Sequence, residues 1–119
     1  MESVTRIKVR YAETDQMGVV HHAVYAVYLE AAREDFLEVF FPVVERGLTF
    51  RAPARFGEEV EVRTRLAELS SRALLFRYRV GREGVLLAEG FTRHLCQVGE
   101  RAARIPEDIY RALSVLNLK

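Results

Sequence analysis

Residues 10–37, RYAETDQMGVVHHAVYAVYLEAAREDFL, connect an alternating segment to a long helical pattern. From Val4 to Tyr11 apolar and charged side chains alternate, which predicts a half-buried strand. From Tyr25 to Phe40 apolar side chains recur at helical spacing, with charged residues on the opposite side. Pro42 predicts the end of this helix, because proline interrupts the helical hydrogen bonds.

The remainder of the chain returns to a period of two, interrupted by turn residues. The predicted strands are Phe50–Phe56, Val60–Leu66, Leu74–Val80 and Val85–Val98, with turns at Ser70 and Ser71 and at Gly81–Gly84. A short closing helix is predicted to begin near Pro106. Strands joined by short turns pair antiparallel, and the broad apolar surface of the long helix needs a sheet to cover it. The predicted fold class is therefore α+β, a five-stranded antiparallel sheet wrapped around one long helix.

Composition predicts one globular domain that spans residues 1–119. Half of the residues are hydrophobic, and no repeat or linker tract marks a domain boundary. The net charge is +1, and acids and bases are interleaved along the chain. This pattern argues against nucleic acid as a partner, because nothing in it creates a strong positive field.

The sequence also predicts a cytoplasmic protein that is not inserted in a membrane. No apolar run is long enough for a membrane span, and the charged N-terminus is unlike a signal peptide. Cys96 is the only cysteine, so neither an intrachain disulfide nor a cysteine zinc cluster can form. The two edges of the predicted sheet are expected to pair with a second copy of the chain.

The connection between the first strand and the long helix concentrates residues suited to acyl chemistry. Asp15 stands there with Gly18, which permits a turn, and the first free N–H groups of the helix are expected near His22 and Ala23. These donors would form an oxyanion site, and a carboxylate facing it could act as a base toward water or as a nucleophile. Aspartate before a helix is also a common cap or turn residue, and the residues alone leave both readings open.

A family resemblance rests on the order and spacing of motifs along nearly the whole chain. The motifs are Thr14 with Asp15, Gly18 to Val20, His22 with Ala23, Tyr25, Glu30, Ala32 with Arg33, and the segments APARFGEEVEVRTRLAEL and LLAEGFTRHLCQV. Together they resemble the 4-hydroxybenzoyl-CoA thioesterase family of hotdog-fold acyl-CoA thioesterases. The likeness is greatest to its bacterial branch associated with the Tol-Pal envelope system.

The resemblance implies a hotdog fold in a homodimer or homotetramer, with active sites at the dimer interface. It implies that Asp15 is catalytic and that the backbone N–H of His22 polarises the thioester carbonyl. Gly18 and Val19 are implied to shape the connecting turn, and Tyr25 to lie near the acyl pocket. The implied reaction is hydrolysis of an acyl-CoA to free acid and CoA.

Coenzyme A is part of this substrate, and no other cofactor or metal is expected. Exposed arginines near strand ends can hold phosphates through the guanidinium fork, and Arg55 and Arg72 are the candidates. His21 and His22 are adjacent, so at a helix entrance their side chains point apart and cannot chelate one ion in the usual way.

Two alternative functions stay open at this point. One is a hotdog hydratase acting on an enoyl thioester, with Asp15 and either His21 or His22 as an acid and base pair. The other is a non-catalytic acyl-CoA-binding protein or envelope adaptor that has kept the fold. Glu30, one turn from Arg33, is interpreted as a structural residue of the helix surface.

Overall fold

The computed structural model describes residues 2–36, 41–98 and 100–117. The strands are β1 (Glu2–Lys8), β2 (Val43–Phe50), β3 (Glu59–Leu69), β4 (Ala73–Arg82), β5 (Val85–Leu95), β6 (Gln97–Val98) and β7 (Arg101–Ala102). The first five form one antiparallel sheet in the order β1, β3, β4, β5, β2, and β6 pairs with β7 separately. The predicted α+β class with a five-stranded antiparallel sheet is confirmed.

The helices are α1 (Val24–Phe36) and α2 (Glu107–Asn117). α1 begins one residue before the predicted start, and the predicted helical positions Val39 and Phe40 lie outside the described residues. The described part of α1 has 13 residues and α2 has 11, so a single long helix is not confirmed. α2 follows Pro106, as predicted. Neither of these described helices is long and apolar enough to cross a membrane.

The inner face of the sheet shares one hydrophobic core with α1. The core includes Val60, Val62, Leu66, Phe76 and Val80 of the sheet and Tyr28, Leu29 and Ala32 of α1, and each of these residues is at most 3% exposed. On β3 and β4 the buried positions alternate with outward-facing ones, which include the exposed arginines Arg63, Arg65, Arg77 and Arg79. The predicted alternation of β3 and β4 therefore matches the two faces of the sheet.

The predicted strand Phe50–Phe56 is wrong. β2 ends at Phe50, its last residue paired with β5, and residues 51–58 form a loop that runs toward β3. Pro53 has no N–H to donate to a ladder, and Gly57 adopts a φ of +84° that other residues rarely adopt. Both residues favour a loop, although the apolar residues around them alternate.

Two other strand boundaries differ from the prediction. β1 ends at Lys8, and Tyr11–Glu13 forms a single 3₁₀ turn. β5 ends at Leu95, and the predicted residues Gln97 and Val98 form the separate short strand β6. Alternation alone does not reveal these ends, since the side chains keep the same period beyond them.

A chain of hydrogen bonds runs through the core from α1 to β5. Nη1 of Arg33 donates to Oη of Tyr78 (3.2 Å), which lies 2.6 Å from Oγ1 of Thr92. This oxygen lies 2.8 Å from Nε2 of His94, whose Nδ1 lies 2.9 Å from the carbonyl oxygen of Phe41. A carbonyl only accepts, so Nδ1 carries the proton and Nε2 of the neutral ring accepts from Thr92. With His94 neutral, each donor and acceptor in this series of hydrogen bonds therefore has a partner.

This network predicts a loss of stability in mild acid. Burial lowers the pKa of His94 below its ordinary value of 6.5, the hydrogen bond to Phe41 partly offsets this, and the charge of Arg33 lowers it further. Below that value the unfolded chain binds a proton that the folded chain does not, so folding weakens as pH falls. We expect a smaller free energy of unfolding in urea at pH 5.5 than at pH 7.5.

The same measurement on two variants isolates the contribution of His94. His94→Gln should remove most of the difference between the two pH values. His21→Gln, which changes an exposed histidine, should leave it unchanged. An unaltered pH dependence in His94→Gln would contradict the role given to the buried ring.

Candidate active site

Asp15 closes a tight turn with its own side chain. Its Oδ1 accepts hydrogen bonds from the backbone N–H groups of Met17 (2.8 Å) and Val19 (3.2 Å). Its backbone N–H donates to the carbonyl of Val19 (2.9 Å), and Gly18 takes a φ of +76° within the turn. The side chain is exposed, and no donor among the described residues reaches Oδ2. One oxygen therefore shapes the loop while the other stays available to a substrate or water.

The turn also keeps Asp15 ionised. The backbone N–H of Met17, followed by that of Val19, lowers the pKa of Asp15, and the nearby His21 lowers it further. Hydrogen bonds to the ionised form favour it, so the carboxylate is an anion throughout the neutral range. Such a group can attack or orient a nucleophile but is not a proton donor near pH 7.

The start of α1 presents unpaired backbone donors. The N–H groups of Val24 and Tyr25 donate to the carbonyls of His21 (3.0 Å) and His22 (3.2 Å). Within the described part of the chain, the N–H groups of His22 and Ala23 have no acceptor. Together with the positive end of the helix, these two donors can stabilise an oxyanion.

An aromatic cluster lies beside these donors. The exposed ring of His22 stacks on Phe50, with ring centroids 3.7 Å apart and planes 7° apart. The buried Tyr25 meets Phe50 edge to face at 5.2 Å. These rings, with Val19 and Val20, line a cavity of about 310 Å³. Phe50 was absent from the candidates named from sequence, because its position near His22 depends on the end of β2.

Backbone bonds join the Asp15 turn to the loop between β2 and β3. The N–H of Val20 donates to the carbonyl of Ala54 (2.8 Å), and the N–H of Phe56 donates to the carbonyl of Gly18 (3.1 Å). Val19 and Arg55 form the bridge between them. The structure therefore places Arg55 beside Gly18 and Val19 of the Asp15 turn.

Arg72 lies elsewhere in the chain. It precedes β4, at the end of the sheet where Leu69 pairs with Leu74, whereas the aromatic cluster lies at the end where Phe50 pairs with Ala88. β4 spans 10 residues, which corresponds to roughly 30 Å. One chain alone therefore does not place Arg72 beside the Asp15 turn.

Glu13 anchors the turn to α1, a role that the sequence analysis missed. The side chain is 7% exposed and accepts from the N–H (2.9 Å) and guanidinium (2.7 Å) of Arg10 and from the hydroxyl of Tyr28 (2.8 Å). Its carbonyl accepts the N–H of His21 (3.0 Å). Burial alone would raise the pKa of Glu13, but the bonds from Arg10 and Tyr28 outweigh it and lower the pKa. The only local signal is the spacing of three between Arg10 and Glu13.

Glu13→Ala should destabilise the protein by about 3 kcal/mol, because it leaves the buried Tyr28 hydroxyl without its partner and removes the bonds to Arg10. Glu13→Gln keeps an acceptor for Tyr28 and should cost about half as much. Chemical denaturation measures both, with Glu59→Ala as the exposed carboxylate control. Equal losses in all three variants would contradict an anchoring role.

Metal ligands are not clustered in the described residues. No group of three or more histidine, cysteine, aspartate or glutamate side chains in residues 2–36, 41–98 and 100–117 is placed to hold an ion. The groups that the structure describes at the Asp15 turn and the start of α1 are a carboxylate and backbone donors. These groups suit attack on a carbonyl carbon.

Comparison with known proteins gives the family. A family model described as the thioesterase-like superfamily matches residues 9–113. The chain belongs to this superfamily. A putative acyl-CoA thioesterase, YneP, of Bacillus subtilis is 31% identical over 79% of this chain and 78% of its own length. The acyl-CoA thioester hydrolase YbgC of Escherichia coli O6:H1 is 31% identical over 76% of this chain and 78% of its own.

Solved structures show the same hotdog fold. A hypothetical protein from Thermus thermophilus, TT1821, is 85% identical over 100% of both chains, with a TM-score of 0.94. A second Thermus thermophilus protein, a thioesterase complexed with coenzyme A and Zn, is 27% identical over 98% of this chain and 95% of that chain, with a TM-score of 0.91. The superfamily and these relatives make the protein a thioester hydrolase.

Proposed function

We propose that the protein hydrolyses acyl-CoA thioesters to free acid and coenzyme A. The observation that carries this proposal is that one short connection holds a carboxylate oxygen of Asp15 without a donor and two N–H groups, of His22 and Ala23, without an acceptor among the described residues. The aromatic cavity beside them suits the apolar part of an acyl group. The relatives named as acyl-CoA thioesterases support the same substrate class.

In the proposed mechanism the thioester carbonyl oxygen accepts from the N–H of His22 at the start of α1. Asp15 either removes a proton from a water that attacks the carbonyl carbon or attacks that carbon itself. The tetrahedral oxyanion is stabilised by the backbone donors and the helix end. Its collapse breaks the C–S bond, and the CoA thiolate leaves and takes up a proton. If Asp15 is the nucleophile, a water then hydrolyses its mixed anhydride with the acyl group, which releases the acid and restores the carboxylate.

A second copy of the chain is proposed to complete the site. β1 and β2 are the edges of the sheet, and an unpaired edge invites pairing with another strand. Large apolar side chains are exposed around the Asp15 turn, namely Tyr11 (76%), Met17 (79%) and Phe56 (58%). A partner chain would cover them, in a homodimer or in a homotetramer built from two dimers.

Arg55 and Arg72 are the proposed anchors for the phosphates of coenzyme A. Arg55 adjoins Val19 and could serve the turn of its own chain. Arg72 is remote from that turn, so it could serve only the site of another copy in the oligomer. Both guanidinium groups would bind phosphate through paired N–H donors.

Within the superfamily, we propose that the protein belongs to the 4-hydroxybenzoyl-CoA thioesterase family and to its Tol-Pal-associated branch. We also propose that it acts in the cytoplasm and uses no metal or redox cofactor. The relatives of Escherichia coli and Helicobacter pylori named YbgC support a bacterial acyl-CoA thioesterase branch. A hydratase is disfavoured because the superfamily is one of thioesterases.

The test is an acyl-CoA panel of short-chain, long-chain and aromatic thioesters, with a thiol reagent that detects released CoA. Release of thiol supports a thioesterase, since hydration of an enoyl thioester leaves the C–S bond intact. Loss of the enoyl absorbance without thiol would instead support a hydratase. Binding without turnover across the panel, in protein shown to be folded, would support the acyl-CoA-binding or adaptor alternative.

A further inference from the structure

The outer face of the sheet carries a block of four arginines. The register of β3 and β4 places Arg63 opposite Arg79 and Arg65 opposite Arg77. Side chains directly opposite each other have Cβ atoms about 5 Å apart, and alternate residues along one strand are about 7 Å apart. Like charges at such positions destabilise a sheet, so this arrangement favours an anion between them.

Among the residues that the structure describes, three of these arginines have no carboxylate partner. Arg63 pairs with Glu2 (3.2 Å) and Glu61 (3.4 Å). Within residues 2–36, 41–98 and 100–117, no carboxylate oxygen lies within 4.0 Å of the guanidinium groups of the other three, Arg65, Arg77 and Arg79. Their nitrogen donors are therefore free to bind an external anion.

The carboxylate next to this block is already engaged. Glu89 is the strand partner of Arg79, but its Oε2 accepts from Nη2 of Arg51 (2.7 Å). Arg51 lies directly after the end of β2 and is not part of the block. The carboxylate that β5 places beside the block is therefore already paired with an arginine outside the block.

A cavity of about 620 Å³ lies over the block. Phe91 and Gly47 line it beside the four arginines, and these two residues are strand partners. The ring of Phe91 packs directly against the backbone of Gly47, so a Cβ atom at position 47 would collide with it. An aromatic ring and four guanidinium groups therefore border the same cavity.

We propose that this arginine block binds the diphosphate group of a small anion, either free pyrophosphate or a nucleoside diphosphate. Each guanidinium can present two parallel N–H donors to phosphate oxygens, and a pair of opposing arginines can hold two adjacent phosphates. The face lies opposite the one covered by α1, so this inference does not rest on the proposed thioesterase function.

Calorimetric titration and thermal melting with pyrophosphate test the proposal, at matched ionic strength with chloride as reference. The wild-type chain should bind one pyrophosphate per block, and at 100-fold excess over Kd its Tm should rise by roughly 5 °C or more. Arg77→Gln and Arg79→Gln should each bind at least tenfold more weakly. In buffer without pyrophosphate both variants should melt no lower than wild type, since each removes one repelling charge.

Arg101→Gln is the matched control, an exposed arginine of β7 outside the block. It should bind pyrophosphate as wild type does. Arg65→Gln provides a further variant if either of the first two fails to fold. Melting with ADP distinguishes pyrophosphate from a nucleoside diphosphate as the ligand. If ADP raises the Tm as much as pyrophosphate does, the block binds the diphosphate group alone, and if ADP raises it more, the block also contacts the nucleoside.

Several results would overturn the proposal. One is absence of pyrophosphate binding to the wild-type chain, and another is unchanged affinity in both Arg77→Gln and Arg79→Gln. Equal weakening in Arg101→Gln would show a general charge effect. A change of molecular mass in light scattering of the block variants would show that this face joins copies of the chain instead.

Discussion

Asp15→Asn should lower kcat for thioester hydrolysis by about 10³-fold, which is within the range for loss of a catalytic base and also removes an anionic nucleophile. The amide cannot take a proton from water or form an acyl intermediate at neutral pH. Asparagine keeps an oxygen that can accept from the N–H groups of Met17 and Val19, so the turn should persist. KM should change much less than kcat, because the carboxylate acts mainly in the transition state.

Steady-state kinetics on the best substrate of the acyl-CoA panel provide the measurement, alongside the Tm of each protein. Glu30→Gln is the matched control, since it removes an exposed carboxylate from α1 and should leave kcat within about twofold. If Asp15→Asn retained wild-type kcat, Asp15 would be a turn residue only. The alternative reading of aspartate as a structural cap would then hold.

His22→Pro should lower kcat by about 10²-fold or more, because it removes the backbone N–H proposed to hold the oxyanion. Within the described residues this N–H has no acceptor, so proline should break no backbone hydrogen bond. Its fixed φ is also compatible with the start of a helix. The loss should therefore appear in the reaction rather than in the stability of the fold.

His22→Ala separates the ring from the backbone. Alanine keeps the N–H but removes the ring stacked on Phe50, so KM should rise while kcat stays within about tenfold of wild type. Circular dichroism and Tm verify that both variants are folded. If His22→Ala lost as much kcat as His22→Pro, the imidazole would carry the function instead of the N–H.

Local periodicity was sufficient to predict the central strands of the sheet, β3 and β4. β3 and β4 bury every second residue over long stretches, and the residue pattern separates Val60 and Val62 from Arg63 and Arg65 without further information. The prediction failed at β2, whose burial pattern does not alternate. Its true extent depends on pairing with β5, which lies about 40 residues later in the chain.

The sequence by itself determined the α+β class, the Asp15 turn with its glycine, and the start of a helix near His22. These features depend on periodicity, turn chemistry and helix ends, which neighbouring residues specify. Only the tertiary structure decided that Tyr28 holds Glu13, that Phe50 supports His22, and that four arginines meet on one face. Each of these depends on strand register or helix docking, which bring together residues far apart in the chain and leave no local signal.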